Sequence, residues 1–341
     1  MERLGIISNE KVHLEGESFF CDNIDMKSLP EGLSKSFEVQ IFARKSKVLR
    51  NSHQINIKNI IISKNIFSYI LKIIKNNKSQ KKYLIISLSP YTFIACLLLF
   101  ILRKKVYLYL RSDGYEEYKC YSKYLGPVIY HLMFTMASIQ SKLIACRKHI
   151  LKNKNGLLVN PSQLNDKWFT ERKPFDPSKI KLLYIGRIKI EKGVFSLIKI
   201  LKKIDDEFSL SIINSEKFYD KKLENDKIKI FHFKNENDSI IKFYDDHNIF
   251  ILPSFTEAHP QVLDEALSRL RPVIVFSEIS HVKRDREGVF VCKRDHKSLI
   301  DTIKYIINNY KDIEKKMNNN KLPTKNIFLK DLTQIIKNEK N

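Results

Sequence analysis

The chain has 341 residues, of which 43% are apolar and 11% aromatic. At about 150 residues per domain, this length predicts two domains, each able to bury its own core. With 9 glycines and 10 prolines, the composition excludes collagen-like, low-complexity and intrinsically disordered classes. The formal net charge of +23 leaves two interpretations open, an anionic partner or a lysine-rich solvated surface.

The excess charge lies mainly in the first half, where residues 51–150 contain 16 basic and 3 acidic residues. A membrane surface, a phosphorylated substrate or a nucleic acid would each suit this bias. No zinc finger or aromatic RNA-binding strand accompanies it, so a nucleic-acid partner is not expected.

Cysteine spacing and hydropathy indicate the compartment. The five cysteines are widely spaced and form no C-x-x-C pair, which predicts neither disulfides nor a zinc site and fits a reducing environment. No apolar run reaches the roughly 18 residues of a membrane-spanning helix, so a cytoplasmic protein is expected. Ten apolar residues at 93–102 precede Arg103, Lys104 and Lys105, and this run fits either a buried or an interfacial helix.

Short apolar runs alternate with helix-period segments along the first half, which predicts a parallel sheet covered by helices. The expected strands are residues 4–7, 37–42, 84–88, 106–110 and 143–145, and the expected helices are 66–74, 91–102 and 127–139. Because ligands bind beyond the carboxyl ends of such strands, Ser89, Arg111 and Asp113 are candidates to line a site. Asp113 equally suits a turn in which it caps the next helix.

Prolines and polar residues at 160–178 mark a domain boundary, after which the alternation restarts. The expected strands are 180–185, 210–213, 228–231, 249–252, 273–276 and 289–291, and the expected helices are 194–204, 239–245, 261–269 and 297–317. The prediction is an α/β protein of two Rossmann-like domains, 1–165 and 176–322, facing a central cleft. A terminal helix at about 323–341 is expected to pack back on the first domain.

One motif follows the strand at 180–185, which runs directly into Gly186 and Arg187, with Lys192 just before a helix. A glycine permits close backbone approach, and a helix N-terminus attracts anions. A guanidinium and an ammonium group added to this end suit a diphosphate. Basic residues are also common in strand-helix loops that bind nothing.

A second motif spans residues 249–275, where a buried strand leads into a loop with Glu257 and then a helix with Glu265. Pro260 suits the first helical position, where a missing N–H is tolerated. Eight residues on one helix span about 12 Å, so the two carboxylates cannot act on the same atom. They can hold opposite ends of a long ligand.

The segments LLYIGRIKIEKGVFSLIKILKKI and FILPSFTEAHPQVLDEALSRLRPVIV together resemble the donor-binding domain of GT-B glycosyltransferases, specifically the retaining group 1 class, also called family 4. The resemblance covers about residues 180–293. It implies that Arg187 and Lys192 contact the donor diphosphate and that Gly186 permits close approach. It further implies that Glu265 binds the ribose and Glu257 the transferred sugar.

The resemblance also implies wider sets of site residues. The remaining donor contacts are Ala258, His259, Pro260, Gln261 and Val262. The base is expected near His232, Phe233, Lys234 and Asn235. The catalytic candidates are Glu257, Arg187, Lys192 and Asp113, and the acceptor side is assigned Gly16, Ser89, Arg111 and Asp113.

Two segments depart from the family pattern. Ala258 replaces the usual glycine and His259 an aromatic or aliphatic residue, so His259 either hydrogen-bonds a sugar hydroxyl or faces solvent. The glycine-rich loop usual after the first strand is reduced to Glu15-Gly16-Glu17.

The function that the resemblance implies is retaining transfer of a sugar from a nucleotide-diphosphate sugar to a glycan or lipid-linked acceptor, in surface polysaccharide biosynthesis. No cofactor or metal is expected, since no D-x-D motif follows a strand. A P-loop and a dinucleotide-binding motif are also missing from the sequence. Peripheral contact with the inner face of an anionic membrane is expected from the basic first half. The alternatives are a nucleotide-sugar epimerase or phosphorylase of the same fold, or a basic nucleic-acid-binding protein.

Overall fold

The structure is a computed structural model that describes residues 1–48, 53–78, 80–176, 179–204, 208–214, 223–232 and 239–338. The chain divides into two compact units. The first is Met1–Pro161 with Lys325–Asn341, and the second is Ser162–Thr324.

The strands are β1 Glu2–Glu15, β2 Ser18–Cys21, β3 Phe37–Lys45, β4 His53–Ile55, β5 Ile60–Ser63, β6 Lys82–Ile86, β7 Lys105–Leu110, β8 Lys142–Ala145, β9 Gly156–Leu158, β10 Ile180–Ile185, β11 Phe208–Asn214, β12 Ile228–His232, β13 Ile249–Leu252, β14 Val273–Phe276 and β15 Val289–Cys292. The α-helices are α1 Ile24–Leu33, α2 Ile66–Asn76, α3 Pro90–Ile101, α4 Gly114–Tyr121, α5 Leu125–Gln140, α6 Val194–Leu201, α7 Ser239–Asp245, α8 Gln261–Ser268, α9 His296–Asn308, α10 Tyr310–Met317 and α11 Lys325–Lys337.

The first unit is built on a parallel sheet in the order β5-β3-β1-β6-β7-β8-β9. Its central strands are almost fully buried, as expected where helices cover both faces of a sheet. Helix α11 contacts α1, and its Phe328, Leu332 and Ile336 join the core of this unit. The predicted parallel α/β architecture is confirmed here.

Strand β1 is longer than the sequence predicted, running to Glu15 with a register shift between Ile7 and Lys11. It then turns back antiparallel into β2, and β4 pairs with β2. Gly16 lies at the exposed tip of this hairpin with φ +58°, a conformation that favours glycine. The reduced loop at 15–17 is therefore a hairpin turn, and the acceptor-side role of Gly16 stays a prediction.

The second unit contains a parallel sheet in the order β12-β11-β10-β13-β14-β15. The helix expected at 297–317 is wrong as a single element, because the chain breaks at Asn309, whose φ of −114° is not helical. Asparagine side chains compete for backbone hydrogen bonds, which makes such a break favourable.

The stretch expected to separate the domains packs in large part on the second unit. The Trp168 ring lies 5.6 Å from that of Tyr244, and the Phe175 ring stacks 3.8 Å from that of Tyr310. Burial of these aromatic side chains favours attachment over a free linker, although proline-rich composition suggests a boundary.

Helix α3 contains the apolar run seen in the sequence. Its Ala95, Cys96 and Leu99 are fully buried, whereas Phe100 and Ile101 are exposed. Within the described residues, no helix is both long and apolar enough to cross a membrane.

Candidate functional site

In the second unit, the candidate site lies at the ends of the neighbouring parallel strands β10 and β13. From β10 the chain adds β11 and β12 on one side, then returns to place β13, β14 and β15 on the other. At such a reversal, the loops after the two central strands leave in opposite directions and open a crevice at their carboxyl ends. Both motifs found in the sequence follow these two strands.

The loop after β10 begins at Gly186, includes a 3-10 turn at Ile190–Lys192 and reaches α6 through Gly193. Gly193 has φ +67°, and a Cβ at this position would lie 1.9 Å from the carbonyl oxygen of Pro253. Only glycine lets the two loops approach this closely. A backbone hydrogen bond of 2.9 Å from Phe255 N to Glu191 O also joins them.

Lys192 and Glu257 meet across these loops although 65 positions separate them in the chain. Lys192 Nζ donates to Glu257 Oε1 at 2.7 Å, and Ser254 Oγ donates to the same oxygen at 2.7 Å. The two side chains are 23% and 13% exposed, so the pair is shielded but within reach of a ligand. The structure therefore joins the two motifs into one site.

Glu265 lies on α8 and accepts a 2.8 Å hydrogen bond from Tyr244 Oη, a fully buried hydroxyl. Burial raises the pKa of Glu265 to about 7, with a further increase from Asp264 that the Tyr244 hydrogen bond opposes. Near neutral pH this carboxyl group can therefore both accept and donate hydrogen bonds.

Arg294, just after β15, supports the loop after β13, and the sequence analysis did not identify it. Its Nη1 and Nη2 donate to the carbonyl oxygens of Pro253 at 2.9 Å and Ser254 at 3.3 Å. Its guanidinium lies 4.0 Å from the ring centroid of Phe255. The only sequence signal for Arg294 is its place after a strand end.

Glu278 completes the contacts of Arg294, which donates to it from Nε at 2.6 Å. Burial raises the pKa of Glu278, but the hydrogen bond and positive charge of Arg294, together with hydrogen bonds from the Glu278 backbone and Ser277, lower the pKa below its usual value. An ion pair thus fixes the guanidinium that holds the loop.

The turn after β14 also braces the Glu257 loop, a further contact that the sequence analysis missed. His281 Nε2 donates to Glu257 O at 2.8 Å. Arg284 Nη2 lies 3.3 Å from Nδ1 of half-buried His259, so His259 faces an arginine, a third environment beside the two expected ones.

The other predicted donor residues have defined places. Arg187 is exposed, and its carbonyl oxygen accepts from Tyr184 Oη at 2.9 Å. Pro260 is the N-cap of α8 and not its first residue, a correction of one position. Ala258 lies in the loop after β13, and Gln261 and Val262 begin α8. His232 ends β12, while Phe233, Lys234 and Asn235 lie outside the described residues.

In the first unit, Arg111 lies after β7 and joins two acidic residues that the sequence analysis did not identify. Its Nη1 donates to Asp25 Oδ2 at 3.0 Å, and its Nη2 lies 3.6 Å from Glu10 Oε1. This charged cluster lies where the strand-end argument expected polar residues, and its acceptor role stays a prediction.

Two other first-unit candidates cap helices. Asp113 caps α4 by accepting from Tyr115 N at 3.0 Å, and its other oxygen accepts from Lys152 Nζ at 2.8 Å. Ser89 caps α3 in a capping box with Thr92. The capping alternative is confirmed for Asp113, and its catalytic role stays a prediction.

In the part of the chain that the structure describes, no group of three or more His, Cys, Asp or Glu side chains could hold a metal ion.

The chain was compared with known families and structures. Residues 165–322 match the family model described as glycosyl transferases group 1. No curated protein matches the chain in sequence.

Three solved structures show the fold. Sucrose-phosphate synthase from Thermosynechococcus elongatus is 16% identical, with a TM-score of 0.70 and 98% of each chain covered. WaaG, a glycosyltransferase involved in lipopolysaccharide biosynthesis, is 13% identical, with a TM-score of 0.67 over 98% of this chain and 99% of that one. UDP-GlcNAc 2-epimerase from Neisseria meningitidis, bound to UDP-GlcNAc, is 14% identical, with a TM-score of 0.60 over 99% and 100%.

Proposed function

We propose that the protein is a glycosyltransferase that transfers a sugar from a nucleotide-diphosphate sugar to a glycan or lipid-linked acceptor, with retention of configuration. The match of residues 165–322 to the model of group 1 glycosyl transferases and the GT-B fold of the chain support this proposal. The observation that carries this proposal is the contact between Lys192 and Glu257 at the reversal of the second sheet.

Each donor group has a matching residue in this proposal. Arg187, Lys192 and the N-terminus of α6 supply positive charge for the diphosphate, with Gly186 permitting close approach. Glu257 contacts the transferred sugar, and Glu265 accepts hydrogen bonds from the ribose hydroxyls. As the nucleoside diphosphate departs, negative charge grows on its terminal phosphate, and the cationic loop stabilises it.

In the proposed complex, Lys192 lies between two anions, the carboxylate of Glu257 and the diphosphate of the donor. Without donor, Glu257 holds its ammonium group in place, which limits the rotamer entropy lost when a phosphate binds. The same contact keeps Glu257 next to the phosphate position, where the sugar is attached. The site thus needs neither metal nor cofactor for charge stabilisation in the proposed mechanism.

The place of action that we propose is the cytoplasmic face of the cell membrane, where acceptors for surface polysaccharides are built. The similarity in fold to a lipopolysaccharide glycosyltransferase and the basic first unit support it. A nucleic-acid partner is not proposed.

A nucleotide-sugar epimerase is the second candidate, because an epimerase shares the fold. One measurement distinguishes a transferase from an epimerase: the release of free nucleoside diphosphate from a panel of nucleotide sugars, with and without glycan acceptors. A transferase releases it in step with acceptor consumption. Conversion of the donor to its epimer without acceptor would overturn the proposal.

The donor roles are tested by comparing Glu257→Ala with Glu265→Ala. A free nucleoside diphosphate contains the ribose but not the sugar. Glu265→Ala should therefore weaken nucleoside diphosphate binding, whereas Glu257→Ala, which only frees the Lys192 side chain, should weaken it much less and mainly impair turnover. Equal loss of binding in the two variants contradicts this division.

A further inference from the structure

The helices α2, α3 and α5 of the first unit present an unusual outer surface. Helix α3 contacts both α2 and α5, so the three lie side by side. Their exposed apolar residues, here called the apolar face, are 41% to 76% accessible and comprise Phe67, Leu71, Ile74, Phe100, Ile101, Leu125, Val128, Ile129, Leu132, Met136 and Ile139.

Helix α5 contributes most of the apolar face and is apolar on both sides. Its inner side buries Tyr130, Met133, Phe134 and Ala137. Its outer residues recur at the three- and four-residue spacing of one helical stripe, where a surface helix normally carries charged residues. No Asp, Glu, Lys or Arg occurs in the 16 residues of α5. Contiguous apolar surface of this kind marks a contact site.

The charge around the apolar face indicates what covers it. Exposed Lys75 lies next to Ile74 near the end of α2, exposed Arg103 follows α3, and exposed Lys123 precedes α5. None of α2, α3 and α5 contains an acidic residue. Apolar side chains flanked by cations are the composition that partitions into an anionic bilayer surface.

We propose that the apolar face is a membrane-contact surface that lies on anionic phospholipid, with α5 in the plane of the interface. This proposal deepens the place of action proposed above. A second copy of the chain is a poorer occupant, because face-to-face packing would bring like charges together. The 93–102 run, for which a buried and an interfacial helix were both open, buries Ala95, Cys96 and Leu99 and exposes Phe100 and Ile101, whereas α5 carries most of the exposed apolar side chains.

The test is flotation of the full chain, without donor or acceptor, on vesicles of phosphatidylcholine alone or mixed with phosphatidylglycerol. The test variant is Leu125→Gln, Leu132→Gln and Ile139→Gln. The matched control replaces three exposed apolar residues elsewhere in the first unit, as Leu14→Gln, Leu157→Gln and Leu158→Gln. A cooperative denaturant-induced unfolding transition of the first unit that matches the wild type shows that each variant is folded.

We expect the wild type and the control to float on anionic vesicles at low salt, to be released by high salt and to stay off neutral vesicles. The partition coefficient of the test variant on anionic vesicles should be at least about tenfold lower than that of the wild type, because three side chains no longer bury apolar surface in the bilayer. Three results would overturn the proposal. They are no flotation of the wild type on anionic vesicles, equal flotation of the two triple variants, and a wild-type dimer that becomes a monomer in the test variant. Failure of the proposed transferase activity would leave the flotation result unchanged.

Discussion

Lys192 is the residue in which the two sequence motifs converge. Its ammonium group lies 2.7 Å from a Glu257 oxygen, yet 23% of the side chain remains exposed. Because Glu257 fixes the position of the ammonium group and part of the side chain stays accessible, Lys192 is suited to bind an anionic ligand. Arg187, in the same loop, is more exposed.

We expect Lys192→Ala and Arg187→Ala each to weaken nucleoside diphosphate binding by about 2 to 3 kcal/mol, as for a lost charge-assisted hydrogen bond. Titration calorimetry measures this. Lys199→Ala, at an exposed position of α6, is the control and should bind like the wild type. Unchanged affinity in both test variants would remove the phosphate contact from the mechanism.

Glu265 makes stability depend on pH in a defined direction. Its pKa is raised from 4.5 to about 7 in the fold, so between these values the folded chain binds more protons than the unfolded chain. Stability from this group is therefore present below about pH 4.5 and is lost as pH rises towards 7. Glu265→Gln remains neutral and can still accept from Tyr244.

The measurable consequence is a Tm difference between Glu265→Gln and the wild type that grows in favour of the variant from pH 5 to pH 8. Thermal unfolding across this range without nucleotide measures it. Parallel Tm profiles for the two proteins would show that Glu265 does not titrate near neutrality.

At the scale of elements, the loop after β13 is shaped by Arg294, just after β15, and by His281 in the turn after β14. Arg294 fixes the carbonyl groups of Pro253 and Ser254, and His281 fixes that of Glu257. Segments that follow two neighbouring strands thus position the candidate ligand loop and keep its geometry rigid.

Arg294→Lys keeps the charge but loses the planar fork that bonds two carbonyl groups and Glu278 at once. We expect Arg294 to act as a positioning residue, so that the variant stays folded while turnover falls about tenfold or more and nucleoside diphosphate affinity changes little. Steady-state kinetics and calorimetry separate the two effects. Lys293→Ala, at the exposed neighbouring position, should behave as wild type, and an equal loss there would argue against a positioning role.

At the scale of the molecule, the C-terminal helix completes the first unit. Leu332 and Ile336 of α11 are fully buried in that unit's core, and Tyr107 Oη of β7 donates to Ile336 O at 3.1 Å. The first unit is therefore assembled from two segments that are far apart in the sequence, and its core is not complete until α11 has been synthesised.

Leu332→Ala should lower the free energy of unfolding of the first unit by about 2 to 5 kcal/mol, because it leaves a cavity in a closed core. Stabilisation by nucleotide should persist, since the proposed donor site lies in the second unit. Denaturant unfolding with and without nucleoside diphosphate measures both, and exposed Lys330→Ala is the control. A loss of nucleotide binding in Leu332→Ala would contradict this independence.

The sequence by itself determined the parallel sheets and the two candidate ligand loops of the second unit. Apolar periodicity reports burial locally, so strands such as β10 and β13 can be identified from consecutive residues. Glycine, prolines and charged residues directly after those strands then mark the loops. Glu257 and Lys192 were identified in this way.

Only the tertiary structure decided which distant residues meet. Arg294 reaches Pro253 across 41 positions, and α11 joins the first unit from the opposite end of the chain. The apolar face was hidden for a related reason, because periodicity cannot separate the inner and outer sides of α5 when both are apolar. These features depend on strand order and helix packing, which are set by contacts between segments and not by the neighbours of each residue.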